Sequence, residues 1–282
     1  MKGIINFYKP KGISSAAAVG RVKRILGRKD VGHMGTLDPD AEGVLLIGVG
    51  KATRLFDFFL NKDKVYSAEF TFGFETDTLD GSGTVVATTD KIPSVDEIKA
   101  VLKSFIGKIS QLPPKYSSKS INGRRAYDLA REGKEFELKP SIIEIFSIEL
   151  VENIGDGKYR FVIHCGAGTY IRSICRDLAA ACGSLATMTA LKRTRCGRFE
   201  ITDSVTQQSL EMFGEKAVLP VQDVLSDCDT LILDDCLYDK LINGIKIPCN
   251  KSGTFTVYCK GELFGLGQSV DGTLKIKSYL RD

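Results

Sequence analysis

The stretch "VGHMGTLDPDAEGVL", residues 31–45, carries the acid Asp38 between Leu37 and Pro39, with Gly35 and Gly43 on either side and His33 just upstream. It runs on into "LIGVGKATR", residues 46–54, so a Gly- and Pro-punctuated loop feeds an apolar run of strand character. Asp-Pro after Gly-Thr-Leu is ordinary turn chemistry, and an acid in such a loop closes a turn or caps a helix as readily as it reacts. A near-copy complicates the reading: "TDTLDGSG", residues 76–83, sets Asp80 behind the same Thr-Leu pair. At most one of the two need be chemical.

Outward from the loop, the elements alternate in type. "GIINFYKP" reads as a short strand stopped by Pro10, and "SSAAAVGRVKRILG" as a helix with Ser14 or Ser15 at its N-cap and Gly27 past its end. "GVLLIGVGKATRL" and "KVYSAEFTFGFE" read as strand-rich, the second with Tyr66, Ala68, Phe70 and Phe72 on one side. "SVDEIKAVLKSFIG" opens on a capping box, Ser94 with Glu97. A Pro-rich loop from Gln111 leads to a helix near Arg125; the strands "SIIEIFSIELVE" and "KYRFVIHC" follow, then a helix in "GTYIRSICRDLAAACG". Near residue 225 the texture changes to an acidic run, a short helix and three strands with turns at Lys260-Gly261 and Asp271-Gly272. The expectation is an α+β chain: a large mixed-sheet domain over residues 1–225 and a small β-rich domain over 226–282.

With 282 residues and 43% hydrophobic content, the chain can bury a sizeable core, and no run approaches a membrane span or a signal-peptide core. We therefore expect a soluble cytoplasmic protein. The net charge of +4 argues weakly for a polyanionic partner, but the basic residues are clustered. Arg21, Lys23, Arg24, Arg28 and Lys29 form one group; Lys115, Lys119, Arg124 and Arg125 a second; Lys192, Arg193, Arg195 and Arg198 a third. Any one of them is a solvated face by default, whereas three together favour nucleic acid. The 8 cysteines include no Cys-x-x-Cys pair, and His33 and His164 are the only imidazoles, so a structural zinc site is not expected.

"GVGKATR" fails as a phosphate-binding P-loop, because Leu45 stands where glycine is needed and Ala52 where Ser or Thr is needed. Two histidines and no Gly-x-Ser-x-Gly elbow leave no hydrolytic triad. What remains is a combination of motifs in fixed order: "KPKGISS" (9–15), "GHMGTLDPDAEGVLLIGVGKATR" (32–54), "DKVY" (63–66), "QLPPKYSSKSINGRRAYDLAREG" (111–133) and "GTYIRSICRDLA" (168–179). Over about the first 200 residues this series resembles the TruB family of tRNA pseudouridine synthases.

The resemblance implies a cofactor-free isomerisation of uridine 55 in the T-stem-loop of tRNA, with Asp38 as nucleophile and Asp80 as a structural or RNA-facing residue. It implies that Arg172 pairs with Asp38, that Tyr66 stacks on the target base, that His33 inserts near the vacated position and that Leu191 packs near the flipped base. A core aromatic at Tyr66 and a core leucine at Leu191 would look the same from the sequence. Lys9 and Pro10 match a motif that supports the catalytic loop and are grouped with the RNA-binding residues; Arg21, Arg24, Lys119, Arg124 and Lys192 are assigned to phosphates. Gly166 departs from the family pattern, where serine is more usual. The short tail resembles a reduced PUA-like RNA-binding domain, which implies a stand-alone enzyme acting on tRNA without guide RNA; a monomer is the expectation because no coiled coil or extra helical face asks for a partner. A non-catalytic RNA chaperone and a guide-RNA-dependent synthase are the alternatives.

Overall fold

A computed structural model describes residues 1–121 and 123–281; Asn122, inside the 111–133 motif, lies outside the described residues. Ten strands form one mixed sheet. Its path uses β1 (Gly3–Lys9), β3 (Glu42–Val49), β4 (Lys64–Phe72), β5 (Gly107–Gln111), β6 (Ser141–Gly155), β7 (Lys158–Cys165), β8 (Ala186–Cys196) and β10 (Leu219–Pro220) in the order β10-β1-β3-β8-β4-β7-β6-β5. Two short strands, β2 (Val31–His33) and β9 (Phe199–Glu200), pair with β3 and β8. A second sheet has five strands, β11 (Asp229–Ile232), β12 (Ile247–Pro248), β13 (Gly253–Cys259), β14 (Glu262–Val270) and β15 (Thr273–Tyr279), ordered β11-β13-β14-β15-β12.

Local sequence accounts for most of these elements. β4 buries Tyr66, Ala68, Phe70 and Phe72 and turns Val65, Ser67, Glu69 and Thr71 outward, as its alternation demands. Helix α1 (Ser15–Leu26) is capped by the Ser14 hydroxyl, which accepts from Ala17 N, and ends at Gly27 with φ 63°. Helix α2 (Val95–Leu102) carries the full Ser94–Glu97 capping box. Together with α3 (Ile171–Ala181), these helices pack Val19, Val22, Ile98, Leu102, Ile174 and Leu178 against Phe70 and Phe161 of the sheet. A separate apolar layer joins Ile4, Val44 and Leu46 to Leu263, Leu266 and Leu280, so the small sheet is seated on the large one.

Two readings change. Residues Gly50–Leu55, taken as strand continuation, form a 3-10 helix, started at Gly50 with φ 65°. The strand β8 was not legible at all, yet it is central, pairing antiparallel with β4 and parallel with β3. Its run "ATMTALKRTRC" lacks clean alternation because two register shifts, at Met188/Ala190 and Arg193/Arg195, interrupt it. No helix among the described residues is long and apolar enough to cross a membrane.

Candidate active site

The loop that carries Asp38 is fixed from below by the first motif. Ser15, the first residue of α1, is 2% exposed; its hydroxyl donates to Leu37 O at 3.0 Å and accepts from Leu37 N at 2.9 Å. Gly12 N donates to Pro39 O, and Lys9 Nζ donates to the carbonyls of Pro10, Ile13 and Pro39 at 3.0, 2.7 and 3.1 Å. Lys9 is 0% exposed and turns its ammonium to three loop carbonyls, the geometry of a support beneath the Asp38 loop rather than of a surface contact. Burial pulls its ammonium down to about 8, against partial support from Asp38 and Asp40.

Asp38 meets its cation 134 residues away. Arg172, on the first turn of α3 and 5% exposed, sets Nε 3.0 Å from Asp38 Oδ2, while Nη2 donates to Oδ1 at 3.2 Å. The same guanidinium donates to Thr78 O and Tyr116 O and stands 3.3 Å from Asp80 Oδ2. One planar fork thus ties three loops, which a lysine could not do. The start of α3 is itself held by Gln111, whose side chain accepts from Tyr170 N and donates to Tyr170 O. Gln111 is 1% exposed, and nothing in the sequence around it marked that role. A Cβ at Gly166 would make only ordinary contact with Glu144 O, at 3.5 Å, so the serine usual there would be tolerated.

The two aspartates differ in what else they touch. Asp80 Oδ1 accepts from the Thr78 hydroxyl, Ser82 N and the Ser82 hydroxyl, and the loop is pinned to β8 by Gly81 N to Met188 O and Met188 N to Leu79 O. Among the described residues Asp38 receives side-chain donors only from Arg172; its side chain is 32% exposed and lines a cavity of about 280 Å³. Burial raises its pKa, Arg172 opposes that, and the neighbouring charge of Asp80 raises it further. The cavity is walled by Asp38, Asp80, Lys11 and the β8 segment Met188–Leu191, among others, and is at the small end for a ligand site. It offers room for one base and a carboxylate to meet it.

Leu191 lines this cavity. Tyr66, 8% exposed on β4, and His33, half-buried on β2, are not among the residues lining the cavity. Burial lifts the Tyr66 phenol to about 12, so it is neutral at physiological pH, and burial lowers the His33 imidazole, whose Nδ1 is buried without a hydrogen-bond partner. Of the phosphate candidates, Arg24 is exposed, Arg21 donates to Gln207, Lys119 to Lys139 O and Ser141, Arg124 pairs with Glu132, and Lys192 pairs with Glu42 at 2.7 Å. In the third basic cluster, Arg193 is 2% exposed and Arg195 is held by Asp63 at 2.9 Å, so that cluster is not the open cationic face its composition suggests. Among the described residues no group of three or more His, Cys, Asp or Glu is arranged to hold a metal ion.

The mixed sheet and the loop-borne carboxylate gripped by a helix-start arginine define the pseudouridine synthase class of fold. Residues 23–171 match the TruB family pseudouridylate synthase N-terminal domain, and residues 172–232 match the tRNA pseudouridylate synthase B C-terminal domain. The chain belongs to the TruB family. It is 38% identical over 285 residues to tRNA pseudouridine synthase B of Clostridium kluyveri, covering 98% of both chains. With the protein of the same name from Rickettsia akari it shares 43% over 238 residues, 82% of this chain and 80% of that one. Among solved structures, a chain of a Cbf5–Nop10–Gar1 complex superposes with a TM-score of 0.72 at 26% identity, over 95% of this chain and 78% of the other.

Proposed function

We propose that this protein converts uridine to pseudouridine in tRNA, at position 55 of the T-stem-loop, with Asp38 as the nucleophile. The observation that carries the reading is the open face of Asp38: its carboxylate is oriented by Arg172, lines the cavity and, among the described residues, has no other side-chain donor. Relatives named tRNA pseudouridine synthase B, collinear with the whole chain, supply the substrate class.

The chemistry needs one carboxylate. Attack of the Asp38 carboxylate at the sugar C1′ displaces uracil through its N1, and C5 of the turned uracil then displaces the carboxylate. Attack at uracil C6 instead gives an adduct in which the N1–C1′ bond breaks and C5–C1′ forms before the C6–oxygen bond breaks and frees the carboxylate. On either route C5 loses its proton and N1 gains one. The product is an isomer of the substrate: every heavy atom is retained, one proton is given up and one taken, and no electrons are exchanged with another reagent. The target lies inside a folded loop, so it must be extruded, with Leu191 packing against it, Tyr66 stacking on it and His33 filling the space it leaves. Arg21, Arg24, Lys119, Arg124 and Lys192 take phosphates. Exposed ion pairs such as Lys192–Glu42 are worth little in water, so a phosphate can replace the carboxylate. We read residues 226–282 as a small RNA-binding domain of a cytoplasmic monomer.

The test is incubation of the protein alone with unmodified tRNA, without guide RNA or other proteins, followed by pseudouridine mapping. Product at the T-loop uridine supports the reading; its absence there removes it.

A further inference from the structure

Arg193 reaches the site from β8, two residues past Leu191, and its guanidinium is buried. A buried cation is costly unless it is paired. Among the described residues no carboxylate pairs with it; its donors go to oxygen atoms of the two elements that carry the chemistry. Nε donates to Val44 O at 2.7 Å and Nη1 reaches Thr36 O at 3.4 Å, one on each side of Asp38. On the neighbouring strand Tyr66 is the register partner of Arg193, so the two buried side chains stand side by side on one face of the sheet, and the guanidinium charge opposes the rise that burial gives the phenol. Its main chain grips the same loop, because Arg193 pairs in parallel with Gly43. A Cβ at Gly43 would fall 2.3 Å from Arg193 O, and Gly43 has φ 105°, so this approach requires glycine.

We propose that Arg193 is the positioning residue that holds Tyr66 in fixed relation to the two ends of the Asp38 loop, so that the stacking phenol and the nucleophile keep one geometry as RNA binds. An apolar side chain would fill the volume without joining strand to loop. A lysine would supply the charge at one point, whereas two carbonyl acceptors in different directions, with the phenol alongside, suit the planar fork. At 2% exposure, Arg193 is also out of reach of phosphate, unlike the neighbouring Lys192. The assignment rests on the roles of Asp38 and Tyr66 given under Proposed function.

The test compares Arg193→Met, Arg193→Lys, Tyr66→Phe and the double variant Arg193→Met/Tyr66→Phe on an unmodified tRNA transcript, with kcat, KM and tRNA Kd measured for each. Misplacement of this kind is expected to lower kcat by about a hundredfold in Arg193→Met, with KM and Kd within about threefold of the parent. Arg193→Lys should recover about tenfold of that loss, and Tyr66→Phe should cost less than about threefold more when Arg193 is already gone, because the two act as one unit. The proposal is overturned if Arg193→Met keeps kcat within threefold, if its loss lies in Kd instead, or if the losses of the two single variants multiply in the double. Should Arg193→Met fail to fold, Arg193→Lys decides: an unchanged kcat overturns the proposal and a lowered kcat at unchanged Kd supports it. Asp38→Asn run alongside separates the two levels. If it turns over normally, the nucleophile reading has failed; if it is dead while Arg193→Met is normal, only the role of Arg193 has.

Discussion

The Thr-Leu-Asp loops at residues 36–38 and 78–80 bring their acids to the same guanidinium, and they differ in everything around it. Asp80 spends one oxygen on three donors of its own loop and is 13% exposed; Asp38 faces the cavity with 32% of its side chain exposed. A shared arginine therefore does not decide which acid reacts. Spare coordination does: a carboxylate saturated by hydroxyl and amide donors is a framework group, and one paired on a single side can attack.

The largest effect should come from removing the open carboxylate. Asp38→Asn is expected to lower kcat more than about a thousandfold, while tRNA affinity stays within about tenfold because phosphate contacts dominate binding; single-turnover kinetics with a binding assay check both. Next is the shared cation. Arg172→Met leaves two acids facing each other without compensation, and breaking a buried pair in this way costs about 3–5 kcal/mol, so a clear fall in thermal midpoint should accompany loss of turnover. The comparison predicts a milder result for Asp80→Asn, about ten- to a hundredfold in kcat, since the Thr78 and Ser82 donors retain an acceptor.

The pH profile sharpens the same contrast. As the proposed nucleophile Asp38 acts as the anion, and its folded-state pKa is raised by burial and by Asp80, so the acid limb of kcat/KM should lie above that of an ordinary carboxylate. Asp80→Asn removes the like charge and should move that limb down. On the alkaline side Lys9, brought down to about 8, loses a proton as pH rises through that value, leaving two N–H donors for three loop carbonyls, and activity should decline there. The smallest effect is expected from Ser15→Ala, which deletes the two bonds to Leu37 and should cost about 1–3 kcal/mol of stability, read by denaturant unfolding, with a few-fold change in kcat.

Much of the fold was legible because burial is periodic: the alternation of Tyr66 to Phe72, the Ser94–Glu97 box and Gly27 after α1 each state their structure locally. The strand β8 was not, since its bulges break the alternation and its place is set by pairing with β4 and β3. The site divides in the same way. The loop support in "KPKGISS" and the union of Asp38 with Arg172 are both tertiary, and only the family resemblance brought them forward. Arg193 was counted among basic surface residues because composition does not reveal that one arginine in a cationic run points inward.

The most direct test of the account is pseudouridine mapping at nucleotide resolution on an unmodified tRNA pool, with the parent protein, Asp38→Asn and Asp80→Asn run side by side at enzyme excess. The account predicts product at the T-loop uridine with the parent and with Asp80→Asn, and none with Asp38→Asn. Product from Asp38→Asn together with none from Asp80→Asn would contradict it, and would move the chemistry to the other loop.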